Sequence, residues 1–222
     1  MRLLYHLPLS PYSRKVRLAL AEKRLPFELR IEKVWERRPE FLALNPAAQV
    51  PVLVEENGAA IPDSAVICAY LEEAYPEVPL LGACVSERIE CRRLVAWFDG
   101  KFAREVSENL LFQKLMKRLL GRGEPDGAAI RAGYQNLRAH LQYLGWLAEH
   151  RRWLAGDVLT LADLAAAAHL SALDFLGDVD WSVSPAAKDW YARIKCRPSF
   201  RALLADRVPG LTPPGHYADL DF

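Results

Sequence analysis

Strand signals are confined to the first third of this chain, and that asymmetry limits the folds open to it. Up to Pro76 short apolar or β-branched runs alternate with helical ones, and beyond it only helical periodicity remains. Arg2 to His6 reads as a short strand, followed by a Pro-rich turn at Leu7 to Pro11. From Tyr12 to Lys23 the apolar residues Val16, Leu18, Ala19 and Leu20 suit a helix. Phe27, Leu29 and Ile31 alternate with charged neighbours, as in a half-buried strand. Glu36 to Leu44 predicts a short helix that stops before Asn45-Pro46. Val50 to Val54 is apolar and β-branched, Asn57-Gly58 is a hairpin signal, and Ala59 to Ile61 returns. Ser64 to Tyr75 is a helix that ends before Pro76. The order βαβαββα predicts an α/β domain over residues 1–76.

Residues 77–85, with Pro79 and Gly82, read as a linker. An all-α domain is expected over 86–207. Leu94, Phe98, Phe102, Val106 and Leu110 recur every fourth residue, so one face of a long helix is apolar. Gly121, Gly123 and Pro125 break it. Further helices are expected over about Ala128 to His150, Thr160 to Phe175, Ala186 to Lys195 and Ser199 to Asp206. Thr160-Leu161-Ala162-Asp163 has the pattern of a capping box, which stabilises a helix start by about 1 kcal/mol. Asp163 is therefore read as a folding residue and not as a catalytic acid. Residues 208–222 form a tail whose three prolines and two glycines exclude regular structure over most of its length.

Composition removes several function classes. The 222 residues carry a formal net charge of +1, too balanced for a dedicated nucleic-acid binder. The first residues lack the apolar core of a signal peptide. Leu161 to Leu173, the most apolar later stretch, is interrupted by Asp163 and His169 and is too short to insert in a membrane. Cys68, Cys84, Cys91 and Cys196 fall at neither metal-ligand nor disulfide spacing, so no metal is expected and reduced thiols point to the cytoplasm.

Three segments carry candidate chemistry: Ser10-Pro11-Tyr12-Ser13, Val50-Pro51 and Asp63-Ser64. Ser10 precedes a helix, where unpaired N–H groups and the helix dipole favour negative charge. A hydroxyl donated to a thiolate there contributes about 1.5–3 kcal/mol and lowers a thiol pKa by about one to two units. The same serine can simply cap the helix, and the residues alone leave both roles open. With serine at both Ser10 and Ser13, dithiol exchange is excluded. Asp63-Ser64 likewise opens a helix, and there the N-cap role is the stronger.

In this order and spacing the three segments resemble the cytosolic glutathione transferases. The resemblance implies a thioredoxin-like N-terminal domain, a C-terminal helical bundle, and glutathione as a possible co-substrate with no other cofactor. It further implies Ser10 as thiolate donor and a cis peptide bond at Val50-Pro51. The Val50 backbone would pair with the tripeptide, and Asp63 and Ser64 would hold its γ-glutamyl end. Asp63 is shorter than the glutamate or glutamine usual there, so its reach is reduced.

The opening Met1 to Pro11, Lys33 to Pro39, Arg92 to Phe98 and the tail narrow the resemblance to one bacterial subgroup, the FtsZ-localised protein A type. This implies a homodimer that binds FtsZ filaments in cell division, with glutathione chemistry lost. A serine-type glutathione transferase acting on an electrophile is the alternative. The partner contact is carried onto His216, Tyr217, Asp219, Leu220, Asp221 and Phe222, with Trp35 a second aromatic in charged surroundings. A tail packed back over its own helices is the competing expectation, and a chain cut after Thr212 is expected to fold. Lys114, Lys117, Arg118 and Arg122 form a basic run at the end of the long helix, which reads as a solvated face or equally as a surface for an acidic partner.

Overall fold

Arg2–His6 (β1), Phe27–Ile31 (β2), Val52–Val54 (β3) and Ala60–Pro62 (β4) make one mixed sheet in the order β2-β1-β3-β4. The computed structural model describes residues 1–220. β1 and β2 run parallel because helix α1 (Pro11–Glu22) carries the chain back between them. β3 and β4 are antiparallel across the Asn57-Gly58 turn, where Asn57 Oδ1 accepts from the Ala59 N–H at 3.0 Å and Gly58 takes φ 87°. Helices α2 (Pro39–Leu44) and α3 (Ser64–Ala74) complete the βαβαββα order expected from the sequence. β2 departs from expectation: Leu29 is 43% and Ile31 58% exposed. It is an edge strand, so its apolar alternation marks a face that the rest of the chain leaves open.

The remainder is helical: α4 (Val85–Ala96), α5 (Lys117–Leu119), α6 (Gly127–His150), α7 (Leu161–Phe175), α8 (Pro185–Lys195) and α9 (Arg201–Leu204). Between α4 and α5 the helix continues through Trp97–Met116 with π-type hydrogen bonding. This widening explains the four-residue spacing. In an ideal α-helix, residues 94, 98, 102, 106 and 110 would drift by about 160° around the axis. A π segment closes its hydrogen bonds one residue later and turns less per residue. Leu94, Phe98, Phe102, Val106 and Leu110 consequently all stay buried.

Helix α7 is the central element, with every residue from Leu161 to Phe175 buried. Its start carries the expected capping box: Asp163 Oδ2 accepts from the Thr160 N–H at 3.0 Å. Asp163 Oδ1 also accepts from the Leu154 N–H at 2.9 Å and from Trp190 Nε1 at 3.0 Å, so the cap ties three segments together. One apolar cluster runs from α1 through α7 into α8, joining the sheet half and the helical half without a gap. Ionic ties cross the same boundary. Lys15 pairs with Asp99, both Arg14 and Arg17 with Asp206, and Arg197 with Glu22 at 2.6 Å. No helix among the described residues is long and apolar enough to cross a membrane.

Candidate functional site

Strand register brings the three motif segments to one end of the sheet. Tyr5 lies opposite Val52, and Val52 opposite Pro62. The chain leaves β1 just after Tyr5 toward Ser10, enters β3 from Val50-Pro51, and leaves β4 directly into Asp63. Three segments far apart in sequence therefore converge on a single edge.

Ser10 is the N-cap of α1, its Oγ accepting from the Ser13 N–H at 3.3 Å. Its hydroxyl proton has no acceptor among the described residues, so capping and donation to a thiolate are compatible at this one side chain. Ser13 is fully buried and its Oγ accepts from the Leu7 N–H at 3.4 Å, which shapes the loop before the helix. The Val50-Pro51 bond is cis. Among the described residues the Val50 N–H and C=O make no turn, loop or cap hydrogen bond, which leaves them available to an added peptide strand.

Asp63 is the N-cap of α3. It has φ 74° and ψ 131°, a backbone region costly for a residue with a Cβ. Its Oδ1 accepts from the N–H groups of Ala65 at 2.7 Å and Val66 at 3.2 Å. The short side chain is folded onto its own helix, and Ser64 is buried beside it. Asp63 Oδ1 thus makes the expected cap, while the residue itself stays exposed.

Beside Ser10, Tyr12 faces the helical half. Its hydroxyl donates to the Asp99 carbonyl at 3.1 Å and its ring meets the edge of His169 at 5.6 Å. Burial, reinforced by Asp99, pushes the Tyr12 phenol up to about 12. The two rings border a cleft of about 140 Å³ whose other walls include Ser107, Leu111, Phe112 and Met116. Behind it Ser107 Oγ lies 2.8 Å from His169 Nδ1, while His169 Nε2 faces Asp99 Oδ1 at 3.5 Å. Burial lowers the pKa of His169, with Asp99 opposing. Sequence reasoning missed Tyr12, Asp99, Ser107 and His169 as a group. No local spacing links them, and only the packing of α1, the long helix and α7 brings them together.

The C-terminal tail is a docked strap. Gly215–Tyr217 form a 3-10 turn, and the Tyr217 ring is wholly buried against Phe175, 5.2 Å between centroids. Its hydroxyl donates to the Leu203 carbonyl and accepts from Arg14 Nη1, each at 3.1 Å. The buried Lys195 ammonium donates to the carbonyls of His216, at 3.0 Å, and Asp219. His216 Nε2 lies 3.0 Å from Asp174 Oδ1, with the imidazole still 39% exposed. Asp219 is exposed, Leu220 and Trp35 are half-buried, and Asp221 and Phe222 lie outside the described residues. Of the residues read as partner contacts, Tyr217 is thus an internal anchor. In the basic run, Lys114 is bound to the buried Asp178 and only Arg118 and Arg122 are exposed. No group of three His, Cys, Asp or Glu residues among those described is placed to hold a metal.

A thioredoxin-like sheet whose helix-terminal serine and cis-proline share one edge, followed by a bundle around a capped central helix, defines the glutathione-transferase fold. Residues 4–79 match the glutathione S-transferase N-terminal domain family and residues 125–198 the C-terminal domain family. The chain belongs to the glutathione S-transferase family. It is 53% identical to FtsZ-localized protein A of Caulobacter vibrioides (strain NA1000 / CB15N), covering 100% of this chain and 98% of that one. The crystal structure of a glutathione S-transferase from Rhodospirillum rubrum F11 superposes with a TM-score of 0.97 at 58% identity, covering 100% of both chains. FzlA from C. crescentus gives 0.96 at 53%, covering 100% of this chain and 99% of that one.

Proposed function

We propose that this chain is a homodimeric binding module of the bacterial cytoplasm that engages FtsZ filaments in cell division, its glutathione chemistry lost. The observation that carries this reading is the 53% identity to FtsZ-localized protein A, which extends over 100% of the chain and so includes the strap. The short Asp63 side chain supports the loss of chemistry, since its Oδ1 already accepts from the Ala65 and Val66 N–H groups. A second copy fits two apolar pairs at i, i+4 spacing: Val66 with Tyr70 on α3, and Val85 with Ile89 on α4. Val66, Val85 and Ile89 are 53%, 73% and 61% exposed, a cost that a dimer interface relieves. A two-fold dimer offers two identical partner surfaces, and weak contacts repeated along a polymer sum to firm attachment.

The exposed Asp219 supplies a test. Asp219→Lys is expected to weaken co-sedimentation with FtsZ polymers by about tenfold per folded molecule. Pelleting equal to the parent would remove the strap from the contact surface.

Ser10 and Val50 favour a second reading, a serine-type glutathione transferase, because the Ser10 proton and the Val50 backbone still suit a thiol tripeptide. Calorimetry with glutathione separates the two. Binding at micromolar to low millimolar concentration that disappears in Ser10→Ala supports the enzyme, and silence supports the binding module.

A further inference from the structure

We infer that the partner reads the C-terminal strap in its docked form, with Tyr217 as the positioning residue that shapes it. This rests on the strap being the contact surface proposed above. The inference comes from what lies beneath the strap, which is a charged and polar bed. Lifting residues 213–220 would withdraw two carbonyl acceptors from the buried Lys195 ammonium. It would take the phenolic oxygen from the buried Arg14 guanidinium and the imidazole from Asp174, whose side chain is 0% exposed. One buried ammonium, one guanidinium and one carboxylate would lose partners together, while the Tyr217 ring left its place against Phe175. Each loss alone is unfavourable, because water entering the vacated bed only partly replaces bonds to side chains that the surrounding fold still holds in place.

An undocked strap is therefore a rare state. A partner that required it would find its affinity reduced by the fraction undocked. A partner that recognises the docked strap meets no such loss, and it meets side chains already ordered. The surface so presented comprises the partly exposed His216 imidazole on the 3-10 turn, with the exposed Asp219 and the half-buried Leu220 just beyond it. Pro214, at the entry of the strap, lies beside Gly177 with room for a Cβ in ordinary contact. The same bed changes how truncation behaves: removing everything after Thr212 strips the core as well as the surface, so a cut chain is not expected to fold as the parent does.

Three measurements on the full-length protein decide the matter. Hydrogen exchange should show amides of residues 208–220 at least 100-fold slower than in a synthetic peptide of residues 208–222. In co-sedimentation with FtsZ polymers that peptide, at 100-fold excess, should not displace the full chain. Tyr217→Ala should bind at least tenfold more weakly, with faster exchange confined to the strap. Where Tyr217→Ala fails to fold, Tyr217→Phe replaces it, keeping the ring and losing only the bonds to Arg14 and Leu203; it should bind a few-fold more weakly.

Strap amides that exchange like the peptide overturn the inference, as does displacement by equimolar peptide. So does undiminished binding by a Tyr217 variant whose strap has loosened. Failure of the full chain to pellet at all removes the FtsZ reading instead. The exchange measurement then still decides docking, since protection upholds it and peptide-like exchange ends it.

Discussion

Arg14 Nη1 donates to the phenolic oxygen of Tyr217 across 3.1 Å, and neither side chain is open to solvent. The two belong to the first helix and the last turn of the described chain. Arg14 also donates through Nε to the Pro8 carbonyl at 2.7 Å, so one guanidinium braces both the Ser10 loop and the strap. Its remaining bonds reach Ser171 at 2.8 Å and Asp206 at 3.2 Å. A planar five-donor group suits this role, which a lysine at the same position would not fill.

Arg14→Met keeps much of the stem and removes every one of those bonds. It is expected to lower stability by about 3–5 kcal/mol, since Ser171 and Tyr217 lose a donor inside the core while Asp206 and the Pro8 carbonyl lose one at its edge. Urea unfolding followed by circular dichroism measures it, and a loss under about 1 kcal/mol would show that the hub contributes little.

Asp163→Ala should cost about 3 kcal/mol or more, because the carboxylate satisfies the Thr160 and Leu154 N–H groups and Trp190 Nε1 in a site with no solvent. FtsZ binding per folded molecule should be unchanged. A variant of normal Tm that has lost function would make Asp163 a functional residue after all.

Gly145 on α6 faces the N-cap of α8. A Cβ at Gly145 would lie 2.0 Å from Ser184 Oγ, which caps α8 by accepting from the Ala187 N–H at 3.2 Å. Gly145→Ala gains helix propensity of about 1 kcal/mol but displaces that cap and overpacks the contact. The net expectation is destabilisation by about 1–3 kcal/mol, restored in part by Ser184→Gly. A rise in Tm for the single variant would contradict the close approach of the two helices.

His6 sets a pH dependence. It is 3% exposed, and burial together with the neighbouring Arg17 lowers its pKa from 6.5 to about 4. Between those values the unfolded chain binds a proton that the folded chain does not, so stability falls as pH drops from about 6.5 to 4. The full effect is about 3 kcal/mol. His140 and His169, also lowered by burial, act in the same direction. His6→Leu should flatten part of the slope in denaturant midpoints measured at pH 7, 5.5 and 4.5. An identical slope in the variant would assign the acid sensitivity to other groups.

Much of this architecture was legible in the residues. The alternation of short strands and helices before Pro76, the Asn57-Gly58 turn and the Thr160–Asp163 box are local patterns, and each formed where expected because its hydrogen bonds close within a few residues. The convergence of Ser10, Val50 and Asp63 came only through resemblance, since no single segment encodes the strand register that unites them. The unusual width of Trp97–Met116 left a trace in the strict four-residue spacing, which by itself is indistinguishable from an ordinary apolar helix face.

What the residues determined unaided was the local choice of helix, strand, turn and cap, because those follow from periodicity and from bonds between near neighbours. Tertiary structure alone decided which polar groups are inside. Arg14, Lys15 and Arg17 look like a solvated helix face, yet all three are buried, matched by Asp99 and Asp206 from the distant helical half. Tyr217, which the residues left open to a partner contact or to packing over its own helices, is a core residue for the same reason. A charge or hydroxyl can be buried only where its partner waits, and that partner is supplied by packing between elements far apart in the chain.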